Sequence, residues 1–248
     1  MNEIDVMISE LAALVDEEKR RVLPRFFKTG KGEYGEGDKF MGVTVPNIRS
    51  VAVKHLDAGM DVIDGLLASE WHEQRMCGLM IMVESCKRMT KKSWTNVHTA
   101  DETVSIRKTY FDFYLSHTDK INNWDLVDLT APTIVGEYLI NRSHSILYKL
   151  ADSHLLWDQR ISVISTFAFI RRNDFHDIIS LSERLLHHPH DLMQKAIGWM
   201  LREVGKRDKS QLVSFLDLHS HDMPRTMLRY AIEKFPEEER RHYMNATK

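Results

Sequence analysis

Two cysteines, six prolines and eleven glycines in 248 residues rule out several kinds of protein at once. Two cysteines cannot build a disulfide framework, and that usage points to a reduced, cytoplasmic setting. The shortage of proline and glycine removes most of the turn signals that would separate short strands. No apolar run approaches the roughly 18–20 residues that a membrane span needs. The start, MNEIDVMISELAALVDEEKRR, is acidic and amphipathic, which does not fit a secretory signal. A net charge of −2 gives no global basic signature, so a nucleic-acid partner requires the cations to be gathered on one surface. Hydrophobic residues at 43% and charged residues at 28% are ordinary globular values that argue against disorder.

Helical periodicity recurs almost throughout, and the fold class it predicts is all-α. The exception is TGKGEYGEGDKFMGVTVP, residues 29–46, whose five glycines and closing proline mark a long, flexible loop that could touch a partner. It matches neither a P-loop nor a dinucleotide-binding GxGxxG. Four segments share a polar start, an early basic residue and an apolar helix: WHEQRMCGLMIM (71–82), WDQRISVISTFAF (157–169), DLMQKAIGWMLREV (191–204) and HDMPRTMLRYAIEKF (221–235). Their basic residues Arg160, Lys195 and Arg225 lie 35 and 30 positions apart, and Arg75 lies 85 positions before Arg160. Such spacing suits HEAT-like two-helix repeats, which give one domain over 1–248 curved into an α–α superhelix. In that architecture the four basic residues form a stripe along a concave groove; alternatively each is an unrelated surface charge.

INNWDLVDLTAP (121–132) places Trp124, Val127, Asp128 and Ala131 on one helical face. Asn122 or Asn123 caps this helix, Asp125 suits its first turn, and Pro132 ends or kinks it. Asp128 has no such local explanation. Either it pairs with a cation on a neighbouring helix, or it faces the groove beside an indole. IGWMLREVGKRD (197–208) carries Trp199 and Arg202 three apart, a plane and a fork suited to sugar and phosphate, or else a core tryptophan beside a solvated arginine. Trp157 and Arg160 repeat the offset. The histidines of LHHPHD (186–191) lack metal-ligand spacing and read as a solvated loop between repeats. NRS (141–143) and NAT (245–247) match the glycosylation acceptor pattern, without consequence in a cytoplasmic protein.

FFKTGKGEYGEGDKFMGVTVPNIR, NNWDLVDLTAP, FAFIRRNDF, KAIGWMLREVGKRD and MPRTMLRYAIEKFP together resemble the bacterial DNA alkylation repair glycosylases of the HEAT-like repeat class, over nearly the whole chain. The resemblance implies a monomeric, all-helical superhelix that binds duplex DNA in a concave basic groove, with neither metal nor cofactor and no protein partner. The implied activity is hydrolytic release of N3- and N7-alkylated purines in the bacterial cytoplasm, at the nucleoid. Carried over to this chain, the family's W-x-x-x-D pair is Trp124 and Asp128. Its W-x-x-R pair is Trp199 and Arg202, and a DNA-contacting arginine falls on Arg160. Some members carry a tyrosine where this chain has Phe26, which keeps the ring and loses the hydroxyl. Phe26, Lys28 and Lys195 complete the expected DNA-contacting set. On this reading Asp128, Trp124 and Trp199 stabilise an electron-poor sugar, the carboxylate by charge and the rings by cation–π attraction of about 0.5–2 kcal/mol each. A relative that binds bent or branched DNA without excision is the alternative.

Overall fold

The computed structural model describes residues 2–246, so the last residue of the NAT tripeptide lies outside them. Among the described residues the chain is helical, and its only extended pairing is an isolated bridge between Lys39 and Trp71. No helix among them is long and apolar enough to cross a membrane. The chain divides into two compact units, Met1–Leu126 and Val127–Lys248.

In the first unit, short polar side chains set the helix starts. Asn2 and Asp5 form a capping box before Glu3–Ala12, and Thr99 with Glu102 does the same before Ala100–Ser116. Asp16 accepts the Glu18 and Lys19 N–H groups and starts Glu17–Phe26. The unit is built around His72–Arg88, which packs on Val45–Ala52 and Met60–Leu67. Fourteen of its seventeen residues are buried, so it has no solvent face and reads as a central helix. Its first turn is nevertheless polar: His72, Glu73, Gln74 and Arg75 are all buried. Groups of that kind have to be satisfied internally.

The glycine-rich loop supplies part of that satisfaction. Glu73 accepts the N–H groups of Met41, Gly42 and Val43 at 2.8, 2.8 and 3.2 Å. Gly42 takes φ +96°, and a Cβ there would come within 2.5 Å of the Asp16 carbonyl and 2.6 Å of the Arg20 nitrogen. Only glycine lets the loop lie against the start of Glu17–Phe26. The expectation of a flexible loop is therefore corrected for residues 38–43. Two buried carboxylates, Glu73 and Asp38, draw this stretch inward.

The second unit is centred on Asp191–Gly205, packed against Leu156–Ser165, Lys209–His219 and Arg225–Ala231. His190 caps it by accepting the Leu192 N–H, and His188 bonds to Gln159 Oε1. Two histidines of the LHHPHD loop thus serve local structure, His188 half-buried. The helix Trp124–Asp128 ends before Pro132, which opens a wide turn over Pro132–Gly136 that leads straight into Glu137–Leu139. At the first position of such an element the missing proline N–H costs no hydrogen bond. All four repeat-like segments contain a helix, the first lying in the longest of them, His72–Arg88.

Gly198 marks a close helix crossing in this packing. A Cβ at Gly198 would fall 2.4 Å from the Met227 carbonyl oxygen and 2.6 Å from Tyr230 Cβ. The oxygen belongs to the backbone and cannot step aside. Gly198→Ala is expected to cost about 1–3 kcal/mol, which at this chain length lowers Tm by roughly 2–4 °C for each kcal/mol. Urea and thermal unfolding check this, and an unchanged midpoint would show that the crossing is looser than described.

Candidate functional site

Asp128 and Arg160 come together in the second unit. Arg160 Nε and Nη2 donate to the two carboxylate oxygens of Asp128, each at 2.8 Å, while Nη1 donates to the Leu192 carbonyl at 2.5 Å. Of the two readings of Asp128, pairing with a neighbouring helix is thus realised. The fork is planar and bidentate, the geometry that best fixes a carboxylate's orientation. Burial is unequal, with the arginine side chain 5% exposed and the aspartate 13%. The negative end of the pair is therefore the more accessible one. The expected phosphate contact at Arg160 is not offered: the residue is buried, and its donors serve Asp128 and Leu192. It acts as the holder of Asp128.

The other cations expected to meet DNA also have partners. Lys195 pairs with Asp191 at 2.6 Å on an open helix face, where such pairs are worth little and exchange readily. Arg202 pairs with Glu233 and lines a cavity of about 200 Å³ with Lys206, Lys209 and Lys234. Arg225 donates to the Met244 carbonyl. Arg75 is buried and donates to Asp38 at 2.7 Å, to Asn122 at 3.1 Å and to the Ser69 carbonyl at 3.0 Å. The expected stripe of Arg75, Arg160, Lys195 and Arg225 is corrected accordingly, since two of its four members lie in the interior. Trp199 is half-buried, with its ring 6.0 Å from that of Phe167.

In the first unit Trp124 forms the end of a column of rings. It stacks on Phe27 at 5.2 Å, Phe27 on Phe40 at 4.8 Å, and Phe40 on His72 at 4.5 Å. Phe26 meets Trp124 edge-on at 5.9 Å and is itself 62% exposed, a large apolar ring left in water. Lys28 ends the preceding helix in the left-handed conformation, φ 51°, with its ammonium 5.9 Å from the Tyr34 ring. Sequence reasoning singled out Trp124 and Phe26 and missed Phe27, Phe40 and His72 beneath them.

His72 closes the column with charge. Its Nδ1 donates to Asp38 and its Nε2 to Asp125, both at 2.9 Å. Carboxylates only accept, so both ring nitrogens carry hydrogen and the ring is an imidazolium. Burial acts to strip that proton, but Asp125 and Asp38 outweigh it and push the His72 pKa up to about 9. Burial likewise opposes charge on Asp38, and hydrogen bonds and attraction from His72 and Arg75 hold its pKa below the usual carboxylate value. Asn123 donates to Asp38 and accepts the Trp124 N–H at 2.9 Å, one residue on, where a helix cap would accept from two or three residues on. Asp125, expected to need nothing beyond the helix dipole, is buried and bound to His72.

Helical throughout its described residues and organised around two central helices, the chain belongs to the helical-repeat class. The chain matches the family described as DNA alkylation repair enzyme over residues 7–235, and it belongs to that family. Among proteins of curated function none matches it. It is similar in structure to a predicted DNA alkylation repair enzyme from Enterococcus faecalis, with a TM-score of 0.63 at 13% identity, covering 90% of this chain and 97% of that one. At that identity the likeness shows a shared fold.

The His72 cluster gives a pH signature. A folded pKa near 9 against 6.5 in the unfolded chain means that the group's contribution is complete below about 6.5 and is lost as pH rises through 9. Between those values the one extra proton held by the folded state lowers stability by about 1.4 kcal/mol per pH unit. The stability gap between wild type and His72→Gln should therefore shrink from pH 7 to pH 9.5 in urea unfolding. A gap that stays constant would show that His72 is neutral.

Proposed function

We propose that this protein is a monofunctional alkylpurine DNA glycosylase that hydrolyses the glycosidic bond of N3- and N7-alkylated purines in duplex DNA. Family membership supports the repair role. The observation that carries the finer reading is the Asp128 carboxylate, oriented by two hydrogen bonds from a buried arginine while its own side chain stays partly accessible.

An N3- or N7-alkylated purine is cationic and leaves as a neutral base, so the departing group needs little protonation. As the C1′–N bond breaks, positive charge moves onto the sugar, which becomes oxocarbenium-like. Water then forms the new bond to C1′ and gives up a proton. Asp128 complements the developing charge and receives that proton. Held by Arg160, the carboxylate needs no reorganisation when the cation forms. Trp199 offers a ring face to the same charge from within the second unit, and Phe26, Lys28 and Trp124 are the first unit's contacts to the duplex. No residue in this scheme calls for a metal or cofactor. The protein acts as a monomer on duplex DNA in the cytoplasm.

The test is base release from methylated duplex DNA under single-turnover conditions. Wild type should release 7-methylguanine or 3-methyladenine, and Asp128→Asn should lower the rate by about 100-fold or more, the effect of removing one preorganised electrostatic group. Circular dichroism verifies that the variant folds. A second reading, a DNA binder without excision, is favoured by the Asp128–Arg160 pair, because an ion pair of this geometry also serves packing alone. Wild-type protein that binds the duplex and releases no base would establish that second reading.

A further inference from the structure

We propose that Arg171 is a phosphate-contacting residue of this chain, set beside Trp199 in place of the ion-paired Arg202. The inference rests on the duplex-DNA reading above. Trp199 needs a cation near it if the second unit is to hold a polyanion, and the expected one is engaged: Arg202 is paired with Glu233. Arg160 is buried against Asp128.

Arg171 is differently placed. It follows the short helix Phe167–Ile170, is exposed, and holds its guanidinium carbon 4.1 Å from the Phe167 ring centroid. The Phe167 ring lies 6.0 Å from that of Trp199, so the three side chains run as one contiguous patch. Among the described residues the Arg171 side chain has no carboxylate or carbonyl partner, whereas its neighbour Arg172 is tied to the Ala168 carbonyl at 3.0 Å. Resting over a ring limits the freedom of an arginine and leaves its rim of N–H donors open. A phosphodiester oxygen pair is the ligand that such a fork fits best.

The test measures binding of an undamaged fluorescent duplex by anisotropy across a salt series, for wild type, Arg171→Gln and Arg171→Lys. Arg171→Gln should weaken binding about tenfold, as loss of a charged hydrogen bond does. It should also reduce the slope of log affinity against log salt by about 0.9, one phosphate contact. Arg171→Lys should keep the slope while losing part of the affinity, because it preserves the charge without the fork. The position is exposed, so folding is not at risk. Arg171→Gln with wild-type affinity and slope would overturn this proposal alone. A wild type that does not bind duplex DNA would overturn the functional reading and this proposal with it.

Discussion

A charge withdrawn from water must meet an opposite charge or hydrogen-bond donors inside the protein, and that constraint organises both units. In the second unit it takes the form of the Asp128–Arg160 fork, where removal of either partner leaves a poorly solvated charge at a cost of about 3–5 kcal/mol. In the first unit two cations and two anions, His72 and Arg75 with Asp38 and Asp125, offset one another, while Glu73 is met by three backbone N–H groups. The loop around Asp38 and Gly42 is ordered because the central helix buries a polar first turn. The fold brings a loop to that turn, and that turn holds the loop.

The same constraint decides what remains for a ligand. Groups that balance one another inside are fixed in orientation, which suits a residue that acts by charge or by presenting a ring. The column from His72 through Phe40 and Phe27 ends at Trp124, so the indole rests on a packed, charged base. Among the groups left open are the exposed ring of Phe26, the accessible side of Asp128 and the guanidinium of Arg171. Contact with a polyanion falls to cations that the interior does not use.

Helices and the central segments were legible in the sequence because they depend on local periodicity. The four repeat-like segments all carry helix, and the apolar run of 76–83 announces a buried one. The pairing of charges was not legible. Asp128 and Arg160 are 32 positions apart and His72 and Asp38 are 34 apart, and periodicity carries no record of which distant partner a buried charge finds. That is why Arg75 and Arg160 read as surface cations, and why a glycine-rich stretch read as flexible. The clue that was available is the crowding of His, Glu, Gln and Arg into the first turn of a helix with no solvent face. Family-specific spacing, by contrast, picked out Asp128 directly, since W-x-x-x-D is a local pattern even when its partner is remote.

The central claim is that the Asp128 carboxylate favours positive charge on a sugar. It is tested most directly by comparing two duplexes, one with a cationic pyrrolidine ring at an abasic position and one with its neutral tetrahydrofuran counterpart. An enzyme that stabilises an oxocarbenium-like sugar binds the cationic mimic more tightly than the neutral ring. Wild type should prefer the cationic duplex by about tenfold or more, and Asp128→Asn should bind the two alike. Equal binding of both duplexes by wild type would contradict the account.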